Sequence, residues 1–300
     1  MLAIVIPYYK LTFFEQTVES LANQTDKRFK VYIGNDNSIE DPIEVLEKFK
    51  GQFDYDYHKF ETNIGKDSLI KQWERCIDLS LNEEWIMILG DDDVLGNNVV
   101  EEFYKNFNVF KEKSNVVRFA TVSQNYKKME ASEVYSHPVW EKASLSYFRR
   151  FKGLTRSSLS EYIFKRSVYN KKRFYNFPLA WHSDDWAWLE FSEEKPIFTI
   201  NESVINIGFS DLSLSGMDNN QELKNLATIQ FYKKIIKEKL GGFSKQQALE
   251  LLMEYEILIK KTRKLTQNEW LLLTCKYSVN FKVVSFIKLI RRILISIMKS

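Results

Sequence analysis

The first hundred residues alternate between short apolar runs and segments whose apolar residues recur every three or four positions. The apolar runs are typical of strands buried on both faces, and the periodic segments are typical of amphipathic helices. This alternation predicts an α/β fold with a Rossmann-like, mostly parallel central sheet flanked by helices. The predicted strands are residues 2–9, 29–36, 53–60 and 85–89, and the predicted helices are residues 12–24, 41–50 and 67–81.

Two of the predicted helices carry recognisable local signals. Asp41 is expected as an N-cap, with Pro42 at the first helical position. One face of the third helix is predicted to carry Leu69, Trp73, Ile77 and Leu81, which are four residues apart.

Polar residues follow three of the predicted strands directly. They are Pro7 to Tyr9, Asn35 to Ser38, and the consecutive carboxylates Asp91, Asp92 and Asp93. Ligands of open α/β sheets bind outside the carboxyl ends of the strands, so the three clusters are predicted to meet at one edge. Three like charges on a buried strand need a partner, and oxygen ligands without nearby His or Cys favour Mg²⁺ or Mn²⁺. The alternative is a solvated acidic turn.

The second half of the chain has more mixed signals. Residues 115–126 and 195–209 are predicted strands, and residues 133–151 are predicted to be a loop followed by a helix. From residue 221 the pattern is strongly helical, which predicts a first domain of residues 1–220 and a helical extension of residues 221–300.

The end of the chain, residues 279–300, is predicted to be a basic amphipathic helix. Its polar arc is predicted to hold Ser278, Ser285, Lys288, Arg291, Arg292, Ser296 and Lys299, and much of the other side Phe281, Val284, Ile287, Ile290, Leu294 and Met298. Two alternatives stay open. The apolar side lies on an anionic membrane surface, or it packs on the first domain or a second subunit, which makes an oligomer possible.

Composition limits the function classes. The 43 Lys and Arg residues balance 40 Asp and Glu residues, so no nucleic acid partner is expected. Cys76 and Cys275 are far apart, which predicts neither a disulfide framework nor a zinc site and favours a reducing compartment. No signal peptide and no apolar run long enough to span a bilayer is apparent. We therefore expect a cytoplasmic protein that is at most peripheral to the membrane.

Four segments in order carry a resemblance to a known family. They are IVIPYY (4–9), IGNDNSIED (33–41), TNIGKDS (62–68) and ILGDDDVL (88–95). With these motifs, the first two hundred residues resemble a family 2 glycosyltransferase with the GT-A fold. The resemblance implies a nucleotide-diphosphate sugar donor, usually a UDP-sugar. It assigns residues 1–110 to nucleotide-sugar binding and residues 111–220 to acceptor binding.

The resemblance also assigns the donor site. Pro7 and Tyr8 are expected to line the nucleobase pocket, and Asp36 to accept a hydrogen bond from the base. Asn35 stands where the family usually has an acid, which leaves the base preference open. The expected donor-binding residues are Pro7, Tyr8, Asn35, Asp36, Asn63, Gly65, Lys66 and Asp91. Gly65 is expected in a tight turn, and Lys66 either on phosphate or on the solvated surface.

The acidic motif permits two alignments with the family. In one, Gly90 takes the place of the first acid and Asp92 becomes the principal metal ligand, supported by Asp93. In the other, the literal Asp-x-Asp consists of Asp91 and Asp93. We favour Asp92, and the choice stays open at this point.

The segment WHSDDWAWLEF, residues 181–191, is expected to supply the catalytic base. Asp184 and Asp185 stand where the family has Glu-Asp, and Asp185 matches the acid that deprotonates the acceptor. The alternative for Asp184 is that it caps the following helix. Trp181, His182 and Trp186 are weaker candidates for acceptor binding, because tryptophans in this spacing often pack in a helix and a lone His is often structural.

These inferences predict a metal-dependent inverting enzyme that transfers a single sugar to a glycan or lipid-linked acceptor in surface polysaccharide biosynthesis. The processive signature Gln-x-x-Arg-Trp is absent after the base. Residues 208–216 are expected to form a loop that closes over the diphosphate. One rival is a non-catalytic nucleotide-sugar-binding or scaffold protein on the same fold. A nucleotidyltransferase is less favoured, because no Gly-rich basic loop follows the first strand.

Overall fold

The computed structural model describes residues 1–125, 128–210 and 220–298, with Ile297 described by its backbone alone. The chain divides into two compact units, Met1–Asn220 and Gln221–Ser300.

The first unit alternates strands and helices along its N-terminal half. Its strands are β1 (Leu2–Tyr8), β2 (Phe29–Asn35), β3 (Asp54–Lys59), β4 (Trp85–Ile88), β5 (Val94–Leu95), β6 (Val116–Asn125), β7 (Glu130–Ala131), β8 (Trp140–Glu141), β9 (Tyr162–Lys165) and β10 (Ile197–Phe209). Its helices are α1 (Phe14–Ala22), α2 (Ile43–Lys48), α3 (Leu69–Ile77), α4 (Val99–Phe110), α5 (Ala143–Phe151), α6 (Arg166–Lys172) and α7 (Ser183–Phe191).

Within the described residues, all of these strands belong to one sheet. Its principal order is β3-β2-β1-β4-β9-β6-β10-β5. The four strands β3, β2, β1 and β4 are parallel to one another, and β6 is parallel to β10. The short strand β9 lies antiparallel between β4 and β6 and joins these two parts. The predicted α/β class and mostly parallel sheet are therefore confirmed.

Alternate side chains of the central strands enter cores on opposite faces of the sheet. On β1, Leu2, Ile4 and Ile6 belong to one core, and Ala3 and Val5 belong to the other. Because a strand alternates its side chains, burial on both faces requires the continuous apolar run seen in the sequence. Helices thus cover both faces and leave the strand ends for a site.

Several local predictions need correction. Leu81 lies beyond α3 and is 69% exposed, so it does not continue the buried face of that helix. Helix α2 begins at Ile43, one residue after Pro42, and the Asp41 carboxylate accepts a hydrogen bond from the Ile43 N–H at 3.1 Å. The short antiparallel strands β5, β7, β8 and β9 were not predicted, because pairing with distant strands determines them more than local pattern does.

The second unit is helical, as the pattern predicts. Its helices are α8 (Gln221–Glu238), α9 (Lys245–Thr262), α10 (Gln267–Val279) and α11 (Val283–Met298). Ser244 and Thr266 form capping boxes that begin α9 and α10. Across the described residues, no helix is long and apolar enough to cross a membrane.

Gly34 is required by the packing of β2 against α3. A Cβ atom at this position would lie 2.3 Å from Cys76 Sγ and 3.0 Å from the Phe60 ring. We expect Gly34→Ala to destabilise the protein by about 1–3 kcal/mol, the usual cost of overpacking a core. Thermal melting checks this. Gly241→Ala is the control, because its added methyl group meets no atom within 4 Å. Equal melting temperatures for both variants would contradict the packing argument.

Candidate functional site

The three polar clusters meet where β1, β2 and β4 end, a region that we call the carboxyl edge. The Asp91 carboxylate accepts hydrogen bonds from the backbone N–H groups of Tyr9 and Lys10, each at 2.8 Å. The Ser38 hydroxyl donates to the Tyr9 carbonyl at 2.6 Å. Side chains that follow β2 and β4 thus bond to the backbone that follows β1, so the three segments meet as the strand order predicts.

The carboxylate of Asp93 is buried and bonded on both of its oxygens. Oδ1 accepts a hydrogen bond from the Gly208 N–H at 2.8 Å, and Oδ2 accepts one from the Ser160 hydroxyl. The same hydroxyl accepts a hydrogen bond from the Gly90 N–H at 2.9 Å. Ser160 therefore connects the turn after β4 to the residues that precede β9, and Asp93 is held inside the protein.

Asp92 experiences a different environment. Burial and the charges of Asp93 and Asp91 raise its pKa to about 8, and Lys10 opposes the shift only in part. Such a carboxylate is stabilised in its ionised form by a cation. Burial also raises the pKa of Asp91 and of Asp93. Asp92 is partly exposed whereas Asp93 is buried, and its oxygens are of the kind that suits Mg²⁺ or Mn²⁺, so its role as the metal ligand stays a prediction.

Gly90 makes room for this arrangement. A Cβ atom at Gly90 would lie 2.8 Å from Asp93 Oδ2 and 3.1 Å from Asp92 Oδ1. The glycine that replaces the family's first acid thus lies against the two carboxylates that follow it. Among the residues that the structure describes, no group of three His, Cys, Asp or Glu side chains is arranged to hold a metal. Mg²⁺ typically takes one or two protein carboxylates, with water and substrate phosphates as its other ligands.

Asp36 organises the loop that precedes α3. Its carboxylate accepts hydrogen bonds from the N–H groups of Ile64 and Gly65, both at 2.9 Å, and pairs with Arg75. The Arg75 guanidinium also lies 3.8 Å from the centre of the Phe60 ring. A Cβ atom at Gly65 would lie 2.4 Å from Asp36 Oδ2, so close approach explains this glycine. Asp36 thus fixes the loop predicted to bind the donor.

Two of the predicted donor-binding side chains point into the protein. Asn35 is fully buried, donates to the Tyr57 hydroxyl at 2.9 Å and accepts from the Ser38 N–H at 2.8 Å. Tyr8 is 0% exposed, and its hydroxyl donates to the Glu40 carbonyl at 2.9 Å. The Tyr8 ring therefore offers no exposed surface in this structure, and its role in lining the nucleobase pocket stays a prediction. Its neighbour Tyr9 is 45% exposed.

The remaining predicted donor residues lie at the same edge. Pro7 is partly exposed at the end of β1. Asn63 accepts a hydrogen bond from the Lys66 N–H at 3.1 Å and thereby closes the turn, while the Lys66 side chain is exposed. Their contact with a nucleotide stays a prediction.

The predicted base, Asp185, is buried at the start of α7. Its Oδ2 pairs with the Arg150 guanidinium and lies 2.8 Å from His182 Nδ1. Burial opposes ionisation, but Arg150 and His182 outweigh it and hold the pKa of Asp185 below its ordinary value. Burial lowers the pKa of His182, so a neutral imidazole donates from Nδ1 to an ionised carboxylate.

Asp184 is not the N-cap of α7. The helix begins at Ser183, His182 holds the cap position, and Asp184 lies in the first turn. Burial and the neighbouring charge of Asp185 raise the pKa of Asp184 to about 7. The two adjacent carboxyl groups therefore have opposite shifts, and the position of Arg150 accounts for much of the difference.

The backbone before α7 is unusual. Leu179, Ala180 and His182 adopt left-handed conformations, with φ of 58°, 54° and 69°. Non-glycine residues rarely adopt this region, and each instance costs on the order of 1 kcal/mol. The fold thus tolerates strain at the segment that carries the candidate base, a pattern that is common at functional sites.

The tryptophans around the candidate base have different environments. Trp188 is buried and stacks on Tyr162, with ring centres 4.1 Å apart. Trp186 is also buried, so its ring offers little surface to an acceptor. Trp181 is partly exposed and packs edge-on against His182. An acceptor platform thus fits Trp181 better than Trp186.

The segment from Arg156 to Tyr162 connects the two acidic groups. Ser160 bonds to Asp93, while Arg156, Ser157 and Tyr162 line a small cavity together with Asp185 and Arg150. The positive charge of Arg156 also acts on the carboxyl group of Asp93 and opposes the rise of its pKa. Asp93 and Asp185 therefore both adjoin this one segment.

Sequence reasoning missed several of these side chains. Arg150 is one of two adjacent arginines on α5, and nothing local distinguishes it from a surface arginine. Ser158 and Glu161 form a capping box that could have been found from the S-x-x-E pattern, and this box places Ser160. The predicted closing loop, residues 208–216, falls mainly on residues 211–219, which lie outside the described residues.

The chain is similar to known proteins in both sequence and fold. The family described as "Glycosyl transferase family 2" matches residues 3–177, and the match ends before Asp184 and Asp185. The search of curated proteins gave no significant match.

Similar solved structures include three of S. aureus TarS 1-349. The complex with UDP-GlcNAc has a TM-score of 0.63 and 12% identity, covering 93% of this chain and 80% of that chain. The structure without a named ligand has a TM-score of 0.59 and 13% identity, covering 96% and 80%. The complex with UDP has a TM-score of 0.53 and 14% identity, covering 93% and 88%. At these identities the similarity concerns the fold, and it confirms the predicted GT-A architecture.

Because the pKa of Asp184 is raised and that of Asp185 is lowered, replacing each by Asn is predicted to have opposite effects on stability at pH 8. A carboxyl group whose pKa is raised to about 7 in the folded state stabilises the fold below about pH 4, and this contribution is lost as the pH rises through 7. Asp184→Asn, which mimics the protonated form, should therefore raise the melting temperature by a few degrees at pH 8 and leave it unchanged at low pH.

Asp185→Asn is the matched control. It leaves Arg150 without its anionic partner and should destabilise the protein at neutral pH by on the order of 3 kcal/mol. Melting curves recorded across this pH range check both variants. A destabilised Asp184→Asn variant at pH 8 would contradict the inferred environment.

Proposed function

The chain belongs to glycosyl transferase family 2 and is a glycosyltransferase, and we propose that it is an inverting enzyme specific for a nucleotide-diphosphate sugar. The donor that we propose is a UDP-sugar, and the similar fold solved with UDP-GlcNAc and with UDP supports this choice. The acceptor that we propose is a glycan or lipid-linked saccharide in surface polysaccharide biosynthesis. The enzyme would act in the cytoplasm, which agrees with the free thiols of Cys76 and Cys275.

The observation that carries the proposal is the unequal treatment of three adjacent carboxylates. Burial raises the pKa of all three carboxyl groups, and the protein holds Asp91 and Asp93 with backbone and hydroxyl donors. Asp92 is partly exposed and also experiences the negative charge of both neighbours. A divalent cation and the diphosphate that it binds would compensate this charge. Asp92 would hold the ion, with Asp93 fixing the turn and Asp91 fixing the loop after β1.

Mn²⁺ or Mg²⁺ bound at this turn would neutralise charge that develops on the diphosphate leaving group. The protein's own residues position the reactants. The loop held by Asp36, which contains Asn63, Gly65 and Lys66, would contact the nucleotide beside Pro7 and the exposed Tyr9.

Asp185 is the base that we propose. Its carboxylate takes the proton of the acceptor hydroxyl while that oxygen bonds to the anomeric carbon and the bond from that carbon to the diphosphate oxygen breaks. Arg150 and His182 hold the carboxylate ionised and in place. Because the hydroxyl becomes acidic as its oxygen forms the new bond, a weakly basic carboxylate is sufficient.

Asp184 is the second candidate for the base. Its pKa of about 7 lies close to neutral pH, where general bases are most effective, and its side chain is partly exposed. The two assignments predict different outcomes for the same pair of variants.

Donor binding is tested by thermal shift with UDP, GDP and their sugars, with and without Mn²⁺. We expect one nucleotide series to raise the melting temperature by several degrees when Mn²⁺ is present, because a ligand at a hundred times its Kd stabilises the folded state by about 2.7 kcal/mol. The absence of any nucleotide-dependent shift would contradict the proposal.

Catalysis is tested by turnover of that nucleotide sugar. We expect Asp185→Asn to lower kcat by about 10²–10⁴-fold, the usual contribution of a positioned base, while the donor still raises the melting temperature of the variant. Asp184→Asn should retain most of the activity. Asp54→Asn, at an exposed carboxylate on β3, is the control for the substitution itself. A reversed order, with Asp184→Asn inactive and Asp185→Asn active, would assign the base to Asp184.

A further inference from the structure

Helix α11 packs through a side that combines polar and apolar residues. The residues that face the rest of the second unit are at least partly buried and lie three or four positions apart: Ser285, Phe286, Leu289, Arg292, Ile293 and Ser296. Arg292 Nε donates to Glu256 Oε1 of α9 at 2.8 Å. Ser285, Arg292 and Ser296 of the predicted polar arc thus lie on the inward side. The helix is anchored there by the ion pair and by the apolar side chains of that side, of which Leu289 is fully buried.

The opposite side of α11 is apolar and exposed. It carries Val283, Val284, Ile287, Ile290, Leu294, Ile295 and Met298, and Phe281 lies just before the helix. Ile287 is 62% exposed and Leu294 is 56% exposed. A contiguous apolar surface of this kind on a folded protein usually marks an interaction site.

Two basic residues lie within this exposed side. Lys288 and Arg291 are both exposed and alternate with the apolar residues around the helix. Residues 270–300 contain six basic residues and no acidic residue: Lys276, Lys282, Lys288, Arg291, Arg292 and Lys299. This part of the chain therefore has a positive net charge, and Arg292 pairs with Glu256 of α9.

We propose that the exposed side of α11 binds the surface of an anionic lipid bilayer, with the helix axis parallel to the membrane plane. The apolar side chains enter the boundary between headgroups and acyl chains, and Lys288 and Arg291 contact anionic headgroups. An apolar side that also carries basic residues gives α11 the character of an interfacial helix.

The basic residues of α11 favour an anionic bilayer over a second copy of the chain as the partner of this surface. Two copies that meet through α11 would bring Lys288 and Arg291 near the same residues of the partner, without an acidic residue from positions 270–300 to pair with them. An anionic lipid surface matches both the apolar and the basic parts of the face.

The experiment is cosedimentation of the full chain with vesicles. One set contains phosphatidylcholine alone, and the other contains equal parts of phosphatidylcholine and phosphatidylglycerol. We expect binding to the anionic vesicles, weaker binding to the neutral vesicles, and loss of binding at high salt, because salt screens the headgroup attraction.

Two variants of α11 separate the apolar contribution to membrane binding from the electrostatic one. The double variant Ile287→Glu, Leu294→Glu should abolish binding, and Lys288→Gln should weaken it about fivefold. The controls are Leu226→Glu and Lys237→Gln on the exposed side of α8, which should bind like the unmodified chain. Circular dichroism checks that every variant is folded.

Three outcomes would overturn the proposal. The first is sedimentation of the chain with neither vesicle type. The second is binding of the double variant equal to that of the unmodified chain, and the third is an equal loss of binding in the Leu226→Glu control. If the unmodified chain self-associates without lipid and the double variant is monomeric, the face belongs to a second copy instead.

Discussion

The turn after β4 depends on how the protein distributes hydrogen-bond donors over three adjacent carboxylates. Asp91 receives two backbone N–H groups from the loop after β1, and Asp93 receives a hydroxyl and a backbone N–H. Hydrogen bonds to charged groups contribute about 1.5–3 kcal/mol each, so these donors offset part of the mutual repulsion. Burial raises the pKa of all three carboxyl groups, and the charges of Asp91 and Asp93 add to the rise at Asp92. The turn therefore gathers negative charge that a bound cation would stabilise.

Adjacent carboxylates also have different partners at the candidate base. Asp184 and Asp185 are adjacent, yet Arg150 and His182 bond to Asp185 and keep it ionised, while the pKa of Asp184 rises to about 7. In both acidic groups, hydrogen-bond and ion-pair partners from distant parts of the chain give adjacent carboxylates different environments. Ser160 bonds to Asp93, and its neighbours line a cavity together with Asp185. One short segment before β9 therefore contacts both acidic groups.

Local pattern was sufficient to predict the framework of the site. The continuous apolar runs predicted β1, β2 and β4, and their parallel order follows from the intervening helices, so the meeting of three polar clusters at one edge could be predicted. Side-chain direction could not be predicted in the same way. Tyr8 and Asn35 are the last residues of β1 and β2, and the alternation of side chains along each strand directs them into the core. Arg75, Arg150 and Ser160 are separated in sequence from their partners by 39, 35 and 67 residues, and only tertiary packing brings them together.

The central claim is that Asp92, and not Asp93, supplies the protein's principal ligand to a divalent cation that binds a nucleotide diphosphate. Anomalous diffraction at the manganese edge, from crystals grown with UDP and Mn²⁺, tests this directly. The account predicts an anomalous peak within bonding distance of an Asp92 oxygen, with Asp93 still bonded to Ser160 and Gly208. A peak bound by Asp93 but not by Asp92, or no peak near residues 91–93 while UDP is bound, would contradict it.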